Sequence, residues 1–232
     1  MSTAAPASLA PQATSMAAIV RTLGIVSAVC GLIIVGAYQS TLDAANANRR
    51  LALERAVFQV IPAAKSIEPY YALPDRSIVA DRGTAEPPAG ALKFFAAYDG
   101  SGRLAGIAAE GAAKGYADTV RIMFGYSPAC QCITGIGVVA MRETPGIGDK
   151  IYTDQAFLAN FKALDARVNG DLSGLANAIR TVKHGTKTQP WQIDAIAGAT
   201  ITSRAVGKAI NDSAARLLPV LAPNIDKIGN KS

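Results

Sequence analysis

The sequence predicts an α+β domain behind a single N-terminal membrane helix, and three observations carry that prediction. No charged residue occurs between Thr22 and Tyr38. Hydrophobic residues make up 50% of the chain and the mean hydropathy is +0.22, more apolar than an ordinary soluble domain. Further along, strand-like pairs joined by tight turns precede helical segments, the order of an α+β domain with a mostly antiparallel sheet and flanking helices. The 232 residues suit one globular domain plus extra elements.

Residues 1–15 are dominated by Ala, Ser, Thr, Pro and Gln and carry no charge, so a disordered tail is expected. A bilayer core of ~30 Å needs about 20 helical residues. The segment from Met16 onward reaches that length if Arg21 snorkels to the headgroups, which sets a transmembrane helix over residues 16–40. The competing reading is a cleaved signal peptide with Ala45-Asn46-Ala47 as its site. That site lies well beyond the apolar run, which favours the anchor. Arg21 on one side and Arg49, Arg50 and Arg55 on the other would keep the domain in the cytoplasm by a naive charge count, a weak rule for large domains.

Residues 41–62 continue as a stalk helix, with Leu51, Val57, Phe58 and Ile61 on a mixed stripe that Pro62 ends. Residues 63–90 hold Pro69, Pro74, Pro87 and Pro88 and read as an irregular connection. The domain occupies residues 91–220. Within it, residues 92–98 and 103–109 form one hairpin about Asp99-Gly100-Ser101-Gly102, and 119–126 and 133–141 form a second strand pair. Helices are expected over 152–164, 172–182 and 201–218, with a short strand at 191–196. Residues 221–232 read as a C-terminal tail.

The chemistry available is narrow. With His184 as the only histidine, neither a zinc site nor a Ser/His/Asp triad has support, and His184 reads as a solvated loop residue. Cys30 lies in the apolar run. Cys130 and Cys132 would share a face in a strand; in a turn they would form a disulfide or bind a metal, and without a second ligand cluster the metal is disfavoured. No catalytic residue and no metal site are expected.

Two segments stand out. In Asp194-Ala195-Ile196-Ala197-Gly198-Ala199-Thr200-Ile201-Thr202-Ser203, Gly198 and Ala199 leave room for a bulky group near the backbone. Thr200, Thr202 and Ser203 place hydroxyls where a helix begins, at free N–H groups and the positive dipole end, a position that suits a phosphate. An ordinary capped turn would look the same. No Gly-Lys-Ser/Thr follows, so a Walker loop is excluded. The second segment is Arg142-Glu143-Thr144-Pro145-Gly146-Ile147-Gly148-Asp149-Lys150, a tight loop whose N–H groups can face a ligand, or else a plain strand-to-helix connection.

Together, in this order and behind one membrane helix, these motifs resemble the FMN-binding domain of the G subunit of the Rnf electron-transport complex. The C subunit of the sodium-pumping NADH:quinone oxidoreductase is a close relative, and the Gly-Asp-Lys-Ile ending favours the Rnf type. The resemblance implies FMN joined by a flavin transferase, through a phosphoester, to Thr200. It implies an electron carrier without independent catalytic activity, in a bacterial inner membrane with its domain on the periplasmic side. Its partners would be other members of the complex and the lipid bilayer, with no nucleic acid. Ala197 departs from the family's Ser/Thr, a loss that Thr202 or Ser203 would make good. Glu143, Thr144, Gly146 and Gly148 are expected to line the flavin, and Asp194 to position the hydroxyl or a metal ion during attachment. Lys150 or Lys208 would supply positive charge to a reduced ring, or else be solvated. The alternatives are a vestigial flavin domain acting as sensor or structural component, and an anchored binding module for a small phosphorylated ligand.

Overall fold

The first element, α1 (Met16–Val60), is one unbroken helix of 45 residues that runs through both the expected span and the expected stalk. The computed structural model describes residues 15–83 and 87–229; apart from Ser15, the tail expected over 1–15 lies outside them. The chain divides into two units, residues 1–49 and 50–232. In the first, the large apolar side chains of α1 are exposed, with Leu32, Ile33 and Ile34 all more than half exposed. By length and composition α1 can cross a membrane. At 1.5 Å per residue it measures about 68 Å, roughly twice a bilayer core.

The second unit is built on a seven-stranded antiparallel sheet. Its strands are β1 (Ser66–Ala72), β2 (Ile78–Ala80), β3 (Leu92–Tyr98), β4 (Leu104–Lys114), β5 (Thr119–Ser127), β6 (Cys132–Ala140) and β7 (Leu164–Asp165), in the order β2-β1-β3-β4-β5-β6-β7. The two central hairpins, β3–β4 and β5–β6, fall where the alternating apolar residues and turns place them.

Both faces of the sheet are covered, each by a different helix. Phe94, Ile107, Val120, Ile122, Phe124 and Ile133 pack on one side with α4 (Thr200–Leu221), which presents Ala205, Val206, Ala209, Ile210 and Leu217. That spacing is the one-face stripe of an amphipathic helix. Gly111 lets α4 come close: a Cβ there would stand 2.4 Å from the Ala209 carbonyl oxygen. On the other side Phe95, Ala97, Ala108 and Met123 meet Ala56, Val57, Val60 and Ile61. The last turns of α1 are therefore core, which corrects the stalk expectation over 41–62: Val57 is 0% exposed.

Other expectations are also corrected. Residues 63–90 contain β1 and β2 rather than an irregular connection alone. Pro69 is tolerated because β2 pairs with β1 only from Tyr70 to Ala72, so Pro69 needs no ladder donor on that side. The expected 152–164 helix is two short ones, α2 (Lys150–Thr153) and α3 (Gln155–Ala159), and its end is β7. The break is at Asp154, whose carboxylate accepts the N–H groups of Ala156 and Phe157 and starts α3 afresh. No helix forms over 172–182. There Asn169 Oδ1 accepts the N–H groups of Ser173 and Gly174, and Leu172 is left-handed at φ 58°. The segment ends in β8 (Arg180–Val182), parallel to β9 (Gln192–Asp194). Within the tail expected over 221–232, Ala222–Ile228 form a 3₁₀ helix and Ile228 is buried, while residues 230–232 lie outside the described ones.

Candidate cofactor site

Three segments far apart in sequence meet at the start of α4. They are the β4–β5 turn at 115–118, the loop from Glu143 to Gly148 and the turn from Gly198 into α4. Together they line a cleft of about 460 Å³, with Tyr116, Glu143, Thr144, Ile147, Gly148 and residues 198–202 as its walls. A cleft of that size is within the ~300–1,000 Å³ range of small-molecule sites.

The turn into α4 has a specific cause. Gly198 has φ 82°, a left-handed conformation that side chains disfavour, and a Cβ there would meet nothing within 4 Å. The glycine thus serves the backbone turn and also leaves open space. Ala199, at the N-cap, offers no side-chain hydrogen bond, and the first turn of α4 has no acidic residue. Ser203 N–H makes an early bond of the helix, to the Ala199 carbonyl at 2.9 Å. The N–H groups of Thr200, Ile201 and Thr202 lie ahead of it without intrahelical acceptors. They face an opening that has the positive end of the helix dipole behind it.

The three hydroxyls of this turn have different fates. Thr202 is buried and donates to Glu143 Oε2 at 3.1 Å. Ser203 is fully buried; its Oγ donates to the Ala199 carbonyl at 2.9 Å and accepts the Ile196 N–H at 3.1 Å. It braces the turn and does not line the cleft. Neither hydroxyl is therefore free to replace the one missing at Ala197, which corrects that expectation. Thr200 is half-buried, lines the cleft, and among the described residues its hydroxyl has no hydrogen-bond partner.

Glu143 ties the three segments together. Besides Thr202, its Oε1 accepts the Ala117 N–H at 3.3 Å. Gly115 and Gly148 make space for it, since a Cβ on either would fall within 2.6 Å of the Glu143 side chain. The loop N–H groups are not all available to a ligand: those of Ile147 and Gly148 both go to the Thr144 carbonyl, at 3.2 and 2.9 Å. Gly146 is the left-handed residue of that turn, φ 77°, and is not part of the cleft wall. Asp149 Oδ1 is buried without a partner among the described residues, and its side chain does not cap α2.

Asp194 is placed elsewhere. Its Oδ1 accepts the Gly185 N–H at 2.7 Å, its Oδ2 lies 3.6 Å from His184 Nδ1, and its own N–H goes to Asn160 Oδ1 at 3.0 Å. It lines a neighbouring cleft of about 440 Å³ with Lys150, Thr153, His184 and Ala197, not the Thr200 cleft. Its work there is to fix the 184–185 turn. His184 is the solvated loop residue expected, its side chain 62% exposed, and its Nδ1 donates to the Ala195 carbonyl at 2.9 Å. Burial holds the nearby Lys187 ammonium below the ordinary lysine range, with the Asp194 charge opposing. Lys208 is engaged by Asp212 on its own helix. No lysine or arginine lines the Thr200 cleft among the described residues. An anion bound there would rest on backbone N–H groups and the dipole.

Tyr116, Ile147 and Ile201 complete the cleft, and sequence reasoning did not single them out as site residues. All three are large and about half or more exposed, Tyr116 the most at 68%. Exposed apolar side chains gathered at one opening mark a binding surface. Their signal in the sequence was faint, an aromatic between Gly115 and Asp118 in a tight turn. The walls therefore combine apolar side chains with a free hydroxyl at a helix start. That combination fits a flat ring system with a phosphate at one end.

Comparison with known proteins agrees. The FMN-binding domain family matches residues 115–215, a span that begins beside Tyr116 and holds both the Glu143 loop and Thr200. The G subunit of the Na⁺-translocating ferredoxin:NAD⁺ oxidoreductase complex of Acetobacterium woodii is 31% identical over 161 residues, 67% of this chain and 69% of that one. The G subunit of the ion-translocating oxidoreductase complex of Methanosarcina acetivorans is 27% identical over 195 residues, 84% of this chain and 90% of that one. Among solved structures, NqrC of Shewanella oneidensis shares the fold, with a TM-score of 0.61 at 23% identity over 78% of this chain and 98% of its own.

Proposed function

Because the chain belongs to the G-subunit family of ion-translocating, Rnf-type oxidoreductase complexes, we propose that it holds its FMN through a phosphoester on Thr200. As a family member it is an FMN-dependent electron carrier within such a complex, and it associates with a membrane. The observation that carries the attachment reading is the contrast among three neighbouring hydroxyls. Thr202 and Ser203 are committed to Glu143, Ile196 and Ala199, while Thr200 is free at the mouth of an apolar cleft.

Bound FMN supplies a ring that accepts and gives up electrons, and a link through the phosphate leaves that ring chemically unaltered. The residues do the rest. Thr200 Oγ forms the bond to phosphorus and loses its proton, while the donor's own P–O bond breaks. The maturing flavin transferase must use a donor with an activated phosphate, since free FMN would have to expel hydroxide. The N–H groups of Thr200, Ile201 and Thr202, with the α4 dipole, balance the charge left on the phosphate. Tyr116, Ile147 and Ile201 offer apolar contact to the ring and keep it near the surface, where the other members of the complex can reach it. Glu143 positions the cleft through Thr202 and Ala117.

In this reading the domain faces the periplasmic side of a bacterial inner membrane. The Cys130–Cys132 disulfide supports this, since such bonds persist in oxidising compartments. The attachment reading is tested by mass spectrometry of the tryptic peptide spanning residues 188–204 after co-expression with a flavin transferase. The expected peptide is heavier by FMN less one water, with the modification mapped to Thr200. An unmodified peptide from protein that has been supplied with the transferase and flavin would overturn the reading.

A further inference from the structure

The turn between β5 and β6 carries a disulfide that the flavin site does not use, Cys130–Cys132. We propose that this pair is a thiol–disulfide exchange site, open to a dithiol partner. The inference does not depend on the flavin reading.

A structural staple would be placed differently. A disulfide stabilises by shortening the unfolded chain, and the effect is least when the ring is smallest. Here one residue separates the cysteines, Gln131, and it sits in the left-handed region at φ 51°. Little loop entropy is removed, and the bond spans a residue in a conformation that non-glycine side chains disfavour. The turn is also closed without it. Ser127 pairs with Cys132 at the end of the β5–β6 ladder, Cys132 pairs with Asp165 of β7, and the Gln131 carbonyl accepts the Ala166 N–H at 3.1 Å.

The two sulfurs differ in access, and that difference gives the exchange a direction. Cys130 is exposed on the turn, as is Gln131. Cys132 is 6% exposed and held between two strands. An incoming thiolate therefore attacks Sγ of Cys130. The S–S bond breaks, Cys132 leaves as a thiolate and takes up a proton, and a mixed disulfide joins Cys130 to the partner. The partner's second thiolate attacks its own sulfur in that mixed disulfide and releases Cys130 as a thiol. Two electrons and two protons have then moved from the partner dithiol, now a disulfide, to the cysteine pair.

The test uses the full chain in detergent with Cys30→Ser, so that only this pair responds. The protein is treated with dithiothreitol under native conditions, labelled with N-ethylmaleimide, and followed by mass and by far-UV circular dichroism. The expected result is complete reduction with the sheet intact. Cys130 should be labelled about tenfold faster than Cys132, following exposure. With Cys132→Ser added, glutathione disulfide should form a mixed disulfide at Cys130. A pair that yields to dithiothreitol only after the sheet unfolds would overturn the proposal. So would loss of the fold on reduction, which would make the bond a staple.

Discussion

The two ends of α4 are finished in opposite ways. At its C-terminus the chain passes directly into a 3₁₀ helix, Ala222–Ile228. There the buried Asn224 donates to the Val220 carbonyl at 2.8 Å and to the Arg76 carbonyl at 3.0 Å. Ile228 adds an apolar contact to the main core. At the N-terminus there is no side-chain cap and no acidic residue, and the first N–H groups face a cleft with apolar walls. One end is finished by the chain itself. The other is left open, and the free Thr200 hydroxyl lies there.

Substitutions that act unequally on the α4 scaffold and on its open end test this contrast. The largest loss of stability is expected from Gly111→Ala, which strikes the middle of α4. Its Cβ would stand 2.4 Å from the Ala209 carbonyl oxygen, and backbone cannot yield as a side-chain tip can. Overpacking of this kind costs about 1–3 kcal/mol, and a thermal melt should fall by about 2–4 °C per kcal/mol. Gly198→Val comes next. A branched side chain at φ 82° is strained by about 1–2 kcal/mol, and the turn that presents Thr200 shifts with it. A modest drop in melting temperature should come with a sharp drop in flavin loading. Asn224→Ala removes two hydrogen bonds at the far end and costs about 1 kcal/mol. Flavin loading should stay at the wild-type level, which separates damage to the scaffold from damage to the site.

The smallest effect is that of acid. Lys93 beside Asp81 and Arg167 beside Asp165 hold both carboxyls below the ordinary carboxylate value. Hydrogen bonds from Ser101 and Arg103 take Asp99 to about 2. A carboxyl depressed in the folded state adds stability above its unfolded value, and that stability is lost as pH falls through the folded one. Melting temperature should therefore hold from neutral pH down to about 4 and decline toward 2. The carboxyls are half-buried but their Lys93, Arg103 and Arg167 partners are exposed at the surface, where solvent screens the pairs, so the decline should be shallow.

The fold was legible where the pattern was regular. The charge-free run predicted the apolar length of α1, and alternating apolar residues around tight turns predicted β3 to β6. The apolar stripe of α4 gave that helix to within a few residues. β1 was hidden because Pro69 reads as a strand breaker unless the early end of β2 is known. The 172–182 segment has helix-compatible residues, but Asn169 competes for its backbone from outside the window. At the site, both motif loops were legible and the structure brings them together. Individual roles within them were not. Asp194 and Ser203 are near Thr200 in sequence, yet they turn toward the 184–185 loop and the core. Tyr116 is 84 positions before Thr200 in the numbering and reaches it only through the sheet. Sequence proximity shows which segment carries the chemistry; burial and hydrogen bonding show which side chain in it is free.

The most direct measurement is flavin fluorescence of the full chain on a denaturing gel after co-expression with a flavin transferase, with Thr200→Val, Thr202→Val and Ser203→Ala beside the wild type. Fluorescence should survive denaturation in the wild type, persist in the Thr202 and Ser203 variants at whatever level their folding allows, and vanish in Thr200→Val. A dark wild-type band, or a Thr200→Val band as bright as the wild type, would contradict attachment at Thr200.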